Sequence, residues 1–263
     1  MQQTSNLYKD LLADPNHWKE TRLAIGESGL LVENQGDRIT FGGTRILVDS
    51  GGADSGFGET LLSSIVTEMR LFSEDTPAVG ACVAGEIEVR MLKPSGDIPT
   101  QARLVPYVRL TNGVQHSEWI QKGVFYIDTR ELDRTSDTLE WLTFHGYDDI
   151  VRAEEDYGNS NLDWPAKDID VVEEIAQSMD VPIDPRTYAI MNRGYMVTYP
   201  GTDYAQREIL GFIAASYAGC FVMSDVGALR LVQLNAIPPE TRYLIVSKQD
   251  TRAITFGGDR ILV

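Results

Sequence analysis

The sequence predicts an α+β chain: an antiparallel β-barrel or sandwich domain, then a small α+β domain, then the start of a second β-barrel. Three observations carry that prediction. Between Ala84 and Phe144, polar and apolar residues alternate in short runs separated by turn-forming residues. From Ala166 to Leu234 the apolar spacing becomes helical before it returns to strands. Finally, Ile254–Val263 (ITFGGDRILV) repeats Ile39–Val48 (ITFGGTRILV), differing only at Thr44 against Asp259, which chance matching does not produce. The expected divisions are a helical arm over 1–20, a first β-barrel over 21–145, an α+β domain over 146–237, and a linker with opening strands of a second barrel over 238–263.

Taken in order, Ser5–Ala13 sets Leu7, Leu11 and Leu12 on one helical face, and Asp14-Pro15 stops it. Such an arm packs either on its own chain or on a neighbour. Arg22–Ile25 and Leu30–Glu33 flank Gly26-Glu27-Ser28-Gly29 as a hairpin. Ile39–Val48 reads as two extended halves hinged at Gly42-Gly43, since glycine reaches positive φ without steric cost. Asp49–Glu59 has no lysine after its glycines to hold phosphate, and its acids lack calcium-loop spacing, so a surface loop is expected. Leu61–Phe72, with Ile65 and Val66, reads as a strand.

In Gly85–Leu92, Ile87, Val89 and Met91 fall on one face, while Glu86, Glu88 and Arg90 fall on the other. That is the pattern of a strand with one wet face. Ala102–Leu110 follows, closed by Thr111-Asn112-Gly113, and Asn-Gly is a strong hairpin signal. His116–Ile120, Val124–Arg130 and Thr138–Phe144 complete five strands, with a polar turn expected at Asp133–Asp137. The simplest arrangement is an antiparallel meander.

The chain then changes character. Ala166–Met179 spaces Ile169, Val172, Ile175, Ala176 and Met179 as a helix, with Asp168 and Asp170 where the dipole favours negative charge. A second helix is expected from an Asp203 cap with Gln206 closing a capping box. Ile209, Leu210, Ile213, Ala214 and Tyr217 form its buried stripe, and Gly219 stands where a C-terminal cap belongs. Cys220–Met223 and Ala228–Val232 read as a β-hairpin, Pro238-Pro239 as a linker, and Thr241–Val246 as resumed β structure. The repeat means either that two β units begin alike or that a segment was duplicated. An apolar final strand invites pairing, so Ile261, Leu262 and Val263 are expected to pair with another chain, or to lead into a longer one.

Composition narrows the function. The net charge of −16, from 39 acids against 23 bases, argues against gripping a phosphate backbone. It fits either general solubility or a surface that repels polyanions. Cys82 and Cys220 stand far apart without metal-site partners, so neither a disulfide framework nor a zinc site is expected. No signal-peptide pattern opens the chain, and the longest near-apolar run, Leu210–Met223, is too short to span a bilayer. Assembly in the cytosol is expected.

No catalytic constellation emerges. Asp148-Asp149 and Glu154-Glu155-Asp156 could serve acid–base chemistry, but sequential acids are expected to be solvated surface. His17, His116 and His145 form no metal motif, and no nucleophile elbow accompanies them. Trp18, Trp119, Trp141 and Trp164 are expected as core or interface anchors. Glu86 and Glu88 are the most suggestive group, either a solvated sheet face or the lining of an acidic channel. No catalytic, cofactor-binding or metal-ligating residue is assigned.

The segments TPAVGACVAGEIEVRML, PYVRLTNGVQHSEWIQKGVFYIDTRE, LDWPAKDIDVVEEIAQSM and REILGFIAASYAGCFVMSD resemble the central tail-tip, or baseplate hub, proteins of tailed bacteriophages and prophages. The likeness extends from Ser73 to Val263 and involves whole segments. It implies a homotrimer in which two barrels per subunit imitate a six-fold ring continuing the tail tube. It also implies partners among the other tail proteins (tube, distal tail protein, tip fibre or spike), passage of DNA without specific binding, and a place at the virion tail tip. The glycine-rich stretch before Leu61 has no match in the family, and Thr241–Val263 is too short for a complete second barrel. Two other functions stay open: a tail-tip peptidoglycan hydrolase, or a carbohydrate- or receptor-binding β module.

Overall fold

The computed structural model describes residues 4–26, 39–41, 44–46, 62–72, 78–93, 98–136, 139–158, 160–234, 255–256 and 259–260. Helix α1 (Asn6–Ala13) begins at Ser5, whose hydroxyl accepts the Tyr8 N–H. It packs on its own chain: Leu11 is buried, and Ser5 donates to both oxygens of Glu118, at 2.7 and 2.6 Å.

The strands that follow are β1 (Trp18–Gly26), β2 (Ile39–Phe41), β3 (Thr44–Ile46), β4 (Leu62–Glu68), β5 (Glu86–Leu92), β6 (Arg103–Thr111), β7 (Ile120–Gln121), β8 (Phe125–Ser136) and β9 (Leu139–Tyr147). One antiparallel sheet joins them in the order β1-β6-β8-β9-β5-β4, with β7 also on β6. Leu23 and Ile25 of β1 share a core with Ile87, Val89 and Met91 of β5, although three strands separate β1 from β5 in the sheet. The sheet therefore curls around a single apolar interior.

The expected meander is corrected. β5 pairs with β9 and β4, not with β6. Alternation fixes which face of β5 is buried, but the connection to β6 is too long for a tight turn and imposes no neighbour. The strand expected at His116–Ile120 shrinks to a single bridge from Thr111 to His116 and the two residues of β7. Asn112-Gly113 does turn, with Gly113 at φ 83°. The polar turn expected at Asp133–Asp137 is largely strand, because β8 and β9 stay paired as far as Ser136 and Leu139. Polar residues extend a hairpin beyond the core as readily as they form a turn.

Next come a 3-10 helix (Asp149–Glu154), β10 (Ala166–Lys167), α2 (Asp168–Ser178), α3 (Pro185–Ile190), β11 (Met196–Val197), α4 (Gln206–Ser216), β12 (Gly219–Met223) and β13 (Leu229–Gln233). A second core lies between α2, α4 and the β12–β13 hairpin, where Leu210 and Ile213 are buried as the helical phase predicts. Two cap assignments change. The first residue flanking α4 is Ala205, whose N–H donates to Glu208 at 3.0 Å, and Gln206 lies inside the helix. At the other end Ala218, not Gly219, takes the positive φ of 50°. Gly219 opens β12, where a Cβ would lie 2.6 Å from the Val232 carbonyl oxygen, so it is needed for close strand approach. Helix α3 carries a signal the sequence reading passed over: Asp184 caps it, and Pro185 occupies its first turn.

The strap 78–84 joins this second core although it precedes the large sheet's β5. Gly80 N–H donates to the Gly219 carbonyl at 2.8 Å, Phe221 N–H donates to Ala81 at 3.0 Å, and Cys82 is buried in the core. The strap crosses α4 backbone to backbone: a Cβ on Gly211 would lie 2.5 Å from the Gly80 oxygen. Gly211→Ala should therefore destabilise the protein by about 1–3 kcal/mol through overpacking, outweighing a gain of about 1 kcal/mol in helix propensity. Urea unfolding reads the difference, and a more stable variant would refute the close contact.

The last strands, β14 (Thr255–Phe256) and β15 (Asp259–Arg260), pair Thr255 with Arg260 and Phe256 with Asp259. β2 and β3 pair Thr40 with Arg45 and Phe41 with Thr44, so the two copies of the repeat form the same hairpin in the same register. Among the described residues each hairpin pairs within itself. Leu30–Glu33, Asp49–Glu59, Pro238-Pro239, Thr241–Val246 and Ile261, Leu262 and Val263 lie outside the described residues.

Candidate functional site

The outward face of the large sheet is built from cross-strand rows. Glu68, Glu86 and Tyr147 form one; Val66, Glu88, His145 and Thr129 the next; Ser64, Arg90, Thr143 and Glu131 the third. Leu92, Trp141 and Asp133 follow. Glu86 and Glu88 are thus exposed on one face, as the alternation predicts, while Ile87, Val89 and Met91 enter the core. Glu68, Glu131 and Asp133 join them, giving five carboxylates on β4, β5 and β8 beside Arg90, while the first row continues through Tyr126 to Arg103 of β6.

Local contacts relieve part of that charge. Glu68 sits opposite Glu86, an unfavourable like-charge pair, but an Arg70 hydrogen bond at 2.6 Å holds the Glu68 carboxyl below its ordinary range. Arg90 lies 3.8 Å from Asp133 and stacks over Trp141 at 5.3 Å. His145 lies 3.9 Å from Glu88. Glu131 and Asp133 were legible as a two-residue period, had the segment not been read partly as a turn.

The acids Asp148 and Asp149 depart from expectation. Both are buried, at 4% exposure each, where solvated surface was expected. Asp148 caps the 3-10 helix by accepting the Ile150 N–H at 3.0 Å, and its second oxygen accepts the Gly85 N–H at 2.8 Å. Burial pushes the Asp148 carboxyl up to about 7; its two N–H donors pull the other way and are outweighed. Burial likewise pushes Asp149 up to about 6. Arg152 Nε stands 3.2 Å from Asp149 Oδ1, an ionic contact without hydrogen-bond alignment. Glu154, Glu155 and Asp156 are solvated, and Glu154 pairs with Arg207 at 2.5 Å.

A carboxyl whose folded pKa is raised contributes stability that is complete below its unfolded pKa and lost as pH rises through the folded one. The denaturant midpoint should therefore fall between about pH 5 and pH 8, with Asp148 responsible for a loss on the order of a few kcal/mol. Asp148→Asn should flatten the profile. A wild-type midpoint that rises over this interval would contradict the assignment.

The remaining candidates are structural. Cys82 and Cys220 are free and buried, and burial pushes the Cys82 thiol up to about 12. Trp119 stacks on Arg22 and Arg109, Trp164 packs on the second core, and Trp18 is half exposed. Among the described residues no group of three His, Cys, Asp or Glu is placed to hold a metal ion, and no helix is long and apolar enough to cross a membrane.

These observations define an α+β protein dominated by one large antiparallel sheet whose outer face carries a cluster of carboxylates on β4, β5 and β8. No family model and no curated protein matches the chain. Among solved structures, the 43 kDa tail protein of prophage MuSo2 from Shewanella oneidensis superimposes with a TM-score of 0.47 at 9% identity, over 83% of this chain and 56% of that one. A tail protein from Neisseria meningitidis MC58 gives 0.43 at 11%, over 83% and 53%. The chain spans about half the length of each.

Proposed function

We propose that this chain is a structural, non-enzymatic component of a bacteriophage tail: a trimeric tail-tip or baseplate hub that continues the tail tube. The observation that carries this reading is the part of the outer sheet face formed by β4, β5 and β8, where Glu68, Glu86, Glu88, Glu131 and Asp133 cluster around Arg90. A wall of that sign lets a phosphate backbone slide past, whereas clustered lysine and arginine would bind and stall it. The resemblance of four long segments to hub proteins supports the same role, with tail proteins as partners and DNA as a transient passenger.

Light scattering on the native assembly should give three chain masses; a monomer or a six-fold ring of this chain would overturn the trimer. Replacing Glu86, Glu88 and Glu131 by Lys should leave folding within about 0.5 kcal/mol, because all three are exposed. Particles assembled with that variant should release DNA more slowly. Release at the wild-type rate would remove the acidic conduit from the proposal.

Exposed Tyr188, Tyr195, Tyr199, Tyr204 and Phe212 favour a second reading, a carbohydrate- or receptor-binding module. Specific retention of a glycan on an array would select it.

A further inference from the structure

The chain contains one Asn-Gly pair, Asn112-Gly113, in the short loop between the end of β6 and the bridge from Thr111 to His116. Asparagine before glycine is prone to lose its side-chain amide, because no Cβ shields the following backbone nitrogen. Solvent reaches the pair: Asn112 is half-buried and Gly113 is exposed. Three hydrogen bonds hold the Asn112 side chain. Its Oδ1 accepts the Val114 N–H at 3.1 Å and the Gln115 N–H at 2.9 Å, and its Nδ2 donates to Asp14 Oδ2 at 3.2 Å. Asp14 is the residue that ends α1. The Trp18 ring lies against Gly113, where a Cβ would come within 3.0 Å of it. The loop is thus the dock for residues 14–18, which connect α1 to β1.

From this arrangement we propose that Asn112 is a deamidation site, and that its conversion to a carboxylate loosens the α1 arm. The Gly113 nitrogen, deprotonated by hydroxide, attacks Asn112 Cγ and closes a five-membered succinimide. The bond from Cγ to Nδ2 breaks, and that nitrogen leaves as ammonia after taking a proton from water. Water then opens the ring at either carbonyl, giving aspartate, or isoaspartate with the side-chain carbon in the main chain. Negative charge that develops on Oδ1 during the attack meets two N–H donors already bonded to it, an arrangement that stabilises an oxyanion. One bond opposes the reaction, since Gly113 N–H donates to Thr111 Oγ1 at 3.0 Å and must first be released. It joins near neighbours in a loop, so its opening is local. In the product, the Val114 and Gln115 donors hold a carboxylate more firmly than an amide oxygen, and the loop keeps its shape. The change falls on Asp14. The donor that faced its carboxylate becomes a second carboxylate, and attraction turns to like-charge repulsion. Buried Leu11 and the bonds from Ser5 to Glu118 still hold the arm, so it loosens without detaching.

The folded chain, incubated near pH 8 and then digested, should gain about 1 Da at Asn112 before any other asparagine changes. Conversion confined to chain unfolded in urea would overturn the site. Asn112→Asp carries the product charge, and should lower the hydrogen-exchange protection of the α1 amides about threefold relative to Val89 and Phe144. Adding Asp14→Asn restores a donor facing a carboxylate, with the roles exchanged, and should return protection to the wild-type level. Unchanged protection in Asn112→Asp, or a loss that Asp14→Asn does not reverse, would overturn the coupling to the arm. Should Asn112→Asp not fold, the deamidated fraction of the wild-type chain, separated by its extra negative charge, replaces it. The deamidated fraction of the Asp14→Asn chain is then the control, and equal loss in both would refute the coupling.

Discussion

Phe221→Ala should lower the stability of the protein by about 3–5 kcal/mol. The ring has no solvent exposure and fills the second core, where α4 supplies Leu210 and Ile213 and α2 supplies Val171, Val172 and Ile175. Its backbone also holds the strap, through the N–H bond to Ala81 and the bridge to Cys82. The truncation leaves a cavity in this core, and the cost is that of removing a fully buried aromatic ring. Against a typical total of about 5–15 kcal/mol, such a loss is readily measured in a urea titration. A loss below about 1 kcal/mol would mean that the hairpin does not pack as described.

The sheet has a corresponding position. Phe144→Ala should also cost about 3–5 kcal/mol, through a different core. Phe144 is fully buried on β9 opposite Val89 of β5, and on its other side Arg130 of β8 stands over the ring at 5.5 Å while donating to the Pro99 carbonyl at 2.7 Å. Removing the ring therefore opens the sheet interior and takes away the surface on which Arg130 rests. Because Phe144 and Phe221 belong to separate clusters, the double variant should lose the sum of the two within about 0.5 kcal/mol. A larger departure would show that the two cores are coupled through the junction at Gly85 and Asp148.

How much was legible varies element by element. The wet face of β5 was readable because a two-residue period needs only local sequence, and Glu86 and Glu88 stand where that period puts them. Their companion Glu68 was not assigned to the same face, because no local pattern says that β4 lies against β5. Asp148 and Asp149 look like surface in the sequence, as adjacent acids usually do. The Asp148 carboxyl is enclosed by contact with a glycine 63 residues earlier in the chain.

The sequence by itself determined the faces and phases of the main elements. These are the buried side of β5, the apolar stripe of α4 through Leu210 and Ile213, the β12–β13 hairpin, and the matching strand pairs β2–β3 and β14–β15. Each is encoded within about one helical turn or one strand, where side-chain period and turn residues act directly. Only the tertiary structure decided that β5 pairs with β9, that the strap 78–84 crosses α4 at Gly80 and Gly211, and that Asp148 closes on Gly85. Those outcomes follow from which distant surfaces bury the most apolar area together, a competition between whole elements that no local period records.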